Sequence, residues 1–287
     1  MGRFLITGAS GLIGRHMIDC LLEKSTDHIV GLCNRTKPQL DHERITWIQV
    51  DLTKEPVTGI KPEEITTVIH CAALSPTSVY SDELCADTNR NIDKHVLDFC
   101  EANPAITIAY LSSIYLERYT EEQLEQNSQY LYQKRQSEHR LAAMKNKWAA
   151  FRISSPYGIH QTYRNVFKRF MEKAMAGEDL LLHGTGSRTQ DFIAADDVTA
   201  AILLFLYTNV IGIFNVCSSQ PVSMLDLAET VKQNSPNPIK IVFSGEPDSQ
   251  ENYRVNFDNS ETFIRLGWKP AVSLQQGVQN WFSFLQQ

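Results

Sequence analysis

The chain has 287 residues, of which 43% are hydrophobic and 21% charged, and its formal net charge is −6. That is enough apolar sequence to bury a substantial core without staples, and the acidic balance argues against a surface built for nucleic acid or an anionic membrane. The six cysteines are scattered with no Cys-x-x-Cys pair, and no apolar run approaches membrane-spanning length, so a cytoplasmic protein with reduced thiols and no metal site is expected.

The first element is a short apolar strand at residues 4–7, followed at once by Gly8, Gly11 and Gly14 and a helical pattern at 16–24. A strand, a glycine-rich turn and a helix N-terminus in this order suit a dinucleotide pyrophosphate. Gly8 permits the turn, Gly11 lets the backbone approach the phosphates, and Gly14 lets the helix pack close to the strand. The opening reads as a strand rather than a signal peptide. Further buried strands are predicted at 28–33, 45–50, 67–71, 106–111 and 149–153, with helices between them, notably at 91–102 and 129–145. This alternation predicts an α/β fold, a Rossmann-type doubly wound parallel sheet with ligands at the C-terminal strand ends.

After residue 153 the rhythm changes. A helix is expected at 166–176, a strand and turn at 180–186, and a helix at 195–207 that opens on Asp196 and Asp197. Ser223 is a plausible N-cap for a helix at 224–233, and 273–284 is amphipathic. Residues 1–153 are assigned to dinucleotide binding and 154–287 mainly to a smaller substrate-binding region, with segments near 190–216 returning to the first domain.

Tyr130 and Lys134 stand four apart on a predicted helix and so share one face. An ammonium beside a phenol favours the phenolate, which would bring a tyrosine toward acid/base service. The strand before it ends in Ser112-Ser113, where a hydroxyl can donate to a substrate oxygen.

With these pieces in order, the chain resembles the extended short-chain dehydrogenase/reductases of the NAD(P)-dependent nucleotide-sugar epimerase/dehydratase/reductase kind. The resemblance runs through Thr7-Gly-Ala-Ser-Gly-Leu-Ile-Gly14, Asp51-Leu52, His70-Cys-Ala-Ala73, Asn89 at the opening of the next helix, Ser112-Ser113 and the Tyr130 to Lys134 segment. It continues in Arg152-Ile-Ser-Ser-Pro-Tyr-Gly158, the 184–193 loop, Phe214-Asn-Val216 and Leu266-Gly-Trp-Lys-Pro270.

The resemblance implies that Tyr130 is the acid/base, Lys134 its partner and ribose contact, and Ser113 the group that binds the reacting oxygen. It places Gly8, Ser10, Gly11, Leu12, Ile13 and Gly14 along the pyrophosphate. Asp51 and Leu52 would border the adenine, unless Asp51 merely caps a turn. Ala72 and Ala73 would form a thin wall beside the cofactor, unless they are ordinary core residues. Pro156 and Tyr157 would lie near the nicotinamide, unless Tyr157 only packs. Ser75, Ser113, Tyr157, Arg188 and Gln190 are the candidate substrate contacts. It also implies a homodimer through helices 91–102 and 129–145, with Val96, Leu97, Phe99, Leu141 and Met144 supplying apolar surface, some of it facing the sheet.

Three departures from the family pattern narrow the reaction. Asn34 and Arg35 follow the second strand where a ribose-binding acid is usual, which favours NADP over NAD. Ile114 and Tyr115 follow Ser113 where dehydratases carry an acidic pair, which argues against dehydration. Gln190 stands where many members have arginine, with Arg188 two residues earlier. The expected activity is therefore NADP-dependent reduction of a keto-sugar nucleotide. The alternatives are a nucleotide-sugar 4-epimerase with tightly bound NAD and a non-catalytic dinucleotide sensor.

Overall fold

In the computed structural model, which describes every residue except Met1, Thr36, Ser78 and Gln287, the predicted alternation builds an α/β fold. The first part of the chain gives β1 (Arg3–Thr7), α1 (Leu12–Lys24), β2 (His28–Cys33), β3 (Ile45–Gln49), β4 (Thr67–His70), α2 (Asp82–Glu101) and β5 (Thr107–Ser113). A 3-10 turn (Ile114–Arg118), α3 (Glu121–Asn127), α4 (Gln129–Ala143) and β6 (Trp148–Ile153) follow. Then come β7 (Ser155–Tyr157), α5 (Val166–Ala176), β8 (Leu180–Leu182), β9 (Thr189–Gln190), β10 (Phe192–Ala194), α6 (Ala195–Leu206) and β11 (Gly212–Val216). The chain ends with β12 (Val222–Ser223), α7 (Met224–Asn234), β13 (Ile241–Phe243), α8 (Ser260–Leu266) and α9 (Leu274–Leu285).

Seven strands form one parallel sheet in the order β11-β6-β5-β4-β1-β2-β3. The order reverses beside β1, so a crevice opens at the C-terminal ends of β1 and β4. Alternation along β1 explains why both faces are covered. Phe4 and Ile6 join α1 and α6 in one core, and Leu5 joins α2 and α4 in the other. A third core, with Phe167, Phe170, Leu227, Trp281 and Phe282, holds the C-terminal region together. Strand β11 pairs with β6 and α6 covers the sheet, so residues beyond 190 complete the first region.

The helix predicted at 91–102 begins earlier, at Asp82. Ser81 is its N-cap, accepting from the Leu84 amide, and Asp82 and Glu83 sit in the first turn, where carboxylates suit the helix dipole. Asn89 therefore lies inside the helix instead of opening it. Fully buried, it accepts from the Leu74 amide at 2.7 Å and donates to the Leu74 carbonyl at 2.8 Å, which fixes the loop after β4. The apolar residues expected at a dimer interface are core residues: Val96, Leu97, Phe99 and Leu141 are buried against the sheet, with Met144 packed beside them. The outward faces of α2 and α4 carry ion pairs instead, with Arg140 bridging Asp98 and Glu101. All six cysteines are free, and no helix among the described residues is long and apolar enough to cross a membrane.

Candidate active site

The glycine turn is built as tightly as its sequence suggests. Gly8 has φ 61°, and a Cβ there would lie 2.8 Å from the Ala72 amide nitrogen. A Cβ on Gly14 would lie 2.3 Å from the Gly8 carbonyl oxygen, so α1 can approach β1 only with glycine at that position. Gly11 is the N-cap of α1 and supplies no side-chain cap, which leaves amides at the helix start available to an anion. The residues present thus fit a dinucleotide pyrophosphate. Leu12 and Ile13 can offer only their backbone, because both side chains are buried in the core, whereas Ser10 is exposed.

At the end of β2, Asn34 and Arg35 are exposed, and Asn34 Nδ2 donates to Asp51 Oδ1 at 3.3 Å. Asp51 also caps its own turn, accepting from the Thr53 amide at 3.1 Å and the Thr53 hydroxyl at 2.6 Å. The Thr53 hydrogen bonds hold its carboxyl below the usual range. Leu52 is a core side chain, so only its backbone is left to border a nucleotide. Ala72 is half-buried, its amide bonded to Thr7 Oγ1 at 3.0 Å, and Ala73 is exposed.

At the end of β5 the two serines divide their tasks. Ser112 is locked, donating to Glu138 Oε1 at 2.6 Å. Ser113 accepts from the Tyr115 amide at 3.4 Å, which leaves its own proton for a ligand. Glu138 in turn grips Arg152 at 2.9 and 2.6 Å, so α4 is tied to the ends of β5 and β6. Arg152 also pairs with Glu117.

Tyr130 and Lys134 both sit on α4, but not as the expected phenol–ammonium pair. Lys134 Nζ donates to Tyr110 Oη at 3.0 Å and to the Leu111 carbonyl at 3.3 Å. Burial pushes the Tyr130 phenol up to about 12, against a hydrogen bond with Ser75 that acts downward. The predicted lowering is thus absent from this arrangement, because desolvation of the ring dominates and the nearby ammonium is spent on β5. Burial also lowers the Lys134 pKa, opposed by the Asp93 and Glu138 carboxylates. Ser75 is exposed at the mouth beside Tyr130.

Two further expectations change. The Tyr157 side chain is 2% exposed, stacked on Phe167 at 4.4 Å and facing Gly277, so it packs rather than lining the crevice. Tyr157 therefore keeps only its backbone for a cofactor, while Pro156 is half-buried and its carbonyl already accepts from the Tyr163 hydroxyl at 2.9 Å. Gln190 donates to Ser155 Oγ, which holds its side chain against β7 instead of freeing it for a substrate. Arg188 stays a candidate. Its Nη1 donates to Gln250 at 2.6 Å, while its Nε is buried without a hydrogen-bond partner in the wall of a cavity of about 290 Å³ that Arg169, His183 and Asp248 also line. That loop is linked to the turn after β5: Arg118 lies over the Tyr253 ring at 4.5 Å, and the Tyr253 carbonyl accepts from the Thr189 amide at 3.0 Å.

Sequence reasoning missed Asp93 and Tyr110 and gave His70 no role. The available signal was polar side chains inside apolar runs: Tyr110 within a buried strand, His70 at a strand end, and Asp93 between Ile92 and Val96 on a core-facing helix.

Comparison with known proteins agrees with this geometry. Residues 4–217 match the model of the NAD dependent epimerase/dehydratase family. A putative UDP-glucose 4-epimerase of Methanocaldococcus jannaschii is 26% identical, with 96% of this chain and 97% of that protein aligned. A dTDP-4-dehydro-6-deoxy-D-allose reductase of Streptomyces bikiniensis is 28% identical over 79% of each. The solved UDP-glucuronic acid 4-epimerase of Bacillus cereus, in complex with UDP-glucuronic acid and NAD, superposes with a TM-score of 0.80 at 21% identity, covering 99% of both chains.

Proposed function

Since this chain belongs to the NAD dependent epimerase/dehydratase family, we propose that it is a nucleotide-sugar 4-epimerase working with NAD. The observation that carries the reading is the end of β5, where Ser113 keeps its own proton free and Ile114 and Tyr115 occupy the places where an elimination would need acids, with Tyr130 on α4 as the assigned proton carrier. Inversion at a carbinol carbon takes one proton off the oxygen and returns it, so one phenol serves both directions. The epimerase relatives support this reading over the expected reductase.

The glycine-turn amides would hold the pyrophosphate of NAD, and bound NAD would accept a hydride from the sugar carbon and give it back. Tyr130 takes the hydroxyl proton and later returns it. Ser113 donates to the same oxygen and fixes its direction. Lys134, held on Tyr110 and Leu111, keeps one ammonium proton free, and with that proton turned toward the cofactor ribose and Tyr130 its charge would favour the phenolate against the upward push of burial. The cavity bearing Arg188 Nε offers the nucleotide diphosphate a guanidinium whose Nε makes no hydrogen bond and is held only by an ion pair with Asp248 at 3.5 Å, which the diphosphate would have to displace.

A second reading, NADPH-dependent reduction of a keto-sugar nucleotide, is favoured by Asn34 and Arg35 at the end of β2 and by the Streptomyces relative. One experiment separates them: incubation with UDP-hexoses and NAD, following the C4 epimer by chromatography and the nicotinamide by absorbance. Epimer without net nicotinamide turnover supports the epimerase. Stoichiometric NADPH oxidation by a 4-keto sugar, without epimer, transfers the assignment to the reductase, and then Arg35→Ala should erase the preference for NADPH. In either case Tyr130→Phe should lower turnover by roughly 10²–10⁴-fold.

A further inference from the structure

Behind the reacting groups lies a closed set of buried polar side chains that the proposed chemistry does not use. Asp93, on α2, is 2% exposed and accepts four hydrogen bonds. His70 Nε2 reaches one oxygen at 3.1 Å, and Tyr110 Oη, Gln133 Nε2 and Ser137 Oγ reach the other at 2.6, 2.8 and 2.7 Å. Since Tyr110 gives its proton to Asp93, its oxygen is left to accept from Lys134 Nζ at 3.0 Å. On the other side, the Asp93 carboxylate can only accept, so His70 carries its proton on Nε2, and in the neutral ring Nδ1 accepts from the Thr7 hydroxyl at 2.7 Å while Thr7 Oγ1 accepts from the Ala72 amide. Every donor in the chain from Thr7 to Lys134 has one direction.

Charge makes the same connection. Lys134 is 2% exposed, and a buried ammonium without a counter-charge is costly. The groups acting on it are Asp93 from α2, Cys71 just after β4, Tyr110 from β5 and Glu138 from its own helix, with His70 bonded to Asp93, Arg152 reaching Glu138 from β6, and Tyr130 one turn earlier on α4. Glu138 is already paired with Arg152, so Asp93 is the carboxylate left to balance Lys134. Two of the three ammonium protons are committed, to Tyr110 and to Leu111, which leaves one for a ligand.

We propose that Asp93 is a positioning residue for Lys134: through Tyr110 it fixes the ammonium on β5 with one proton facing the crevice and keeps it charged, and through His70 and Thr7 it ties that ammonium to the strand that carries the glycine turn. The inference rests on the reading that Lys134 serves the cofactor ribose and Tyr130. It predicts that Asp93 acts on cofactor binding through the ionisation of Lys134, which a purely structural residue would not do.

The test is NAD affinity by calorimetry across pH for the unmodified protein, Asp93→Asn, Asp93→Glu, Tyr110→Phe and Lys134→Met. Binding that needs the ammonium is lost as pH rises through the Lys134 pKa. Without the Asp93 charge that pKa falls, so Asp93→Asn should lose NAD at a pH about 1–2 units lower. Asp93→Glu should restore most of the original profile. Tyr110→Phe keeps the carboxylate but removes the anchor, and should weaken NAD by about tenfold with little displacement of the profile. An Asp93→Asn profile that coincides with the unmodified one, while Lys134→Met abolishes the alkaline loss, overturns the proposal. Unchanged NAD binding in Lys134→Met overturns instead the underlying reading of Lys134. If Asp93→Asn does not fold, the Glu and Phe variants decide, and a Tyr110→Phe protein with unaltered affinity counts against the positioning role.

Discussion

The sharpest consequence of the geometry concerns Gly14→Ala. The added methyl would stand 2.3 Å from the Gly8 carbonyl oxygen and 2.9 Å from Ala9 Cα, where real Cβ contacts essentially never fall under 3.0 Å. The obstacle is backbone, so either α1 or the turn must move by something approaching ~1 Å. Overpacking of this kind costs about 1–3 kcal/mol, against a helix-propensity gain of about 0.8–1 kcal/mol for replacing glycine. The net loss of stability is then about 0–2 kcal/mol, readable in chemical denaturation. The loss of affinity should be larger. Displacing the turn forfeits at least one amide–phosphate hydrogen bond, worth about 1.5–3 kcal/mol, or roughly 10–150-fold in NAD binding by calorimetry. Gly11→Ala meets the same oxygen at 3.2 Å and should cost less on both scales. A Gly14→Ala protein that binds NAD as tightly as the unmodified one would refute the placement of the pyrophosphate on this turn.

Arg152→Met leaves the buried Glu138 with only the Ser112 hydroxyl and a longer Arg135 contact at 3.6 Å, and should destabilise by about 3 kcal/mol in urea melts, with Glu138→Gln in the same background recovering part of it. Tyr130, pushed up to about 12 by burial, should show no phenolate below about pH 10 in the difference titration against Tyr130→Phe without cofactor, and an early titrating phenol would contradict that environment. Burial acts to raise the Asp93 carboxyl, but Lys134 and His70 more than offset it and hold it below the usual range. Its contribution is therefore present above about pH 4 and lost as pH falls, so acid unfolding should be shallower in Asp93→Asn. Dimerisation through α2 and α4 would join faces rich in Lys94, Asp98, Glu101 and Arg140, so light scattering should show association that weakens with added salt, and a salt-insensitive dimer would point to another surface.

The glycine turn and the parallel sheet were legible because each rests on local rules. Gly8 answers to a left-handed turn and Gly14 to steric limits within a few residues, and the strand at 28–33 is apolar from Ile29 on. The start of α2 was missed because its first turns are polar, although Ser81 with Asp82 and Glu83 spelled an N-cap. The roles of Tyr157 and Gln190 depended on where their side chains turn after the backbone is placed, and spacing does not encode that: Tyr157 follows Phe167 into the third core, and Gln190 reaches Ser155. Lys134 was found from its helical spacing to Tyr130, yet its partners come from α2 and β5, so Asp93 and Tyr110 became visible only once the fold brought them together.

The way β11 and α6 complete the sheet bears on how the chain is made. During synthesis β1 to β6 emerge first, but β6 then presents Phe151 on a face whose cover, Phe205 on α6 and Phe214 on β11, is encoded about 60 residues later. At about 5–20 residues per second, the ribosome leaves that apolar face open for about 3–12 s. Premature termination between β6 and α6 would leave the interval permanent, with the edge of β6 unpaired and free to capture another strand. Nascent chains stalled in this stretch should therefore recruit holdase chaperones more strongly than those stalled after Val216.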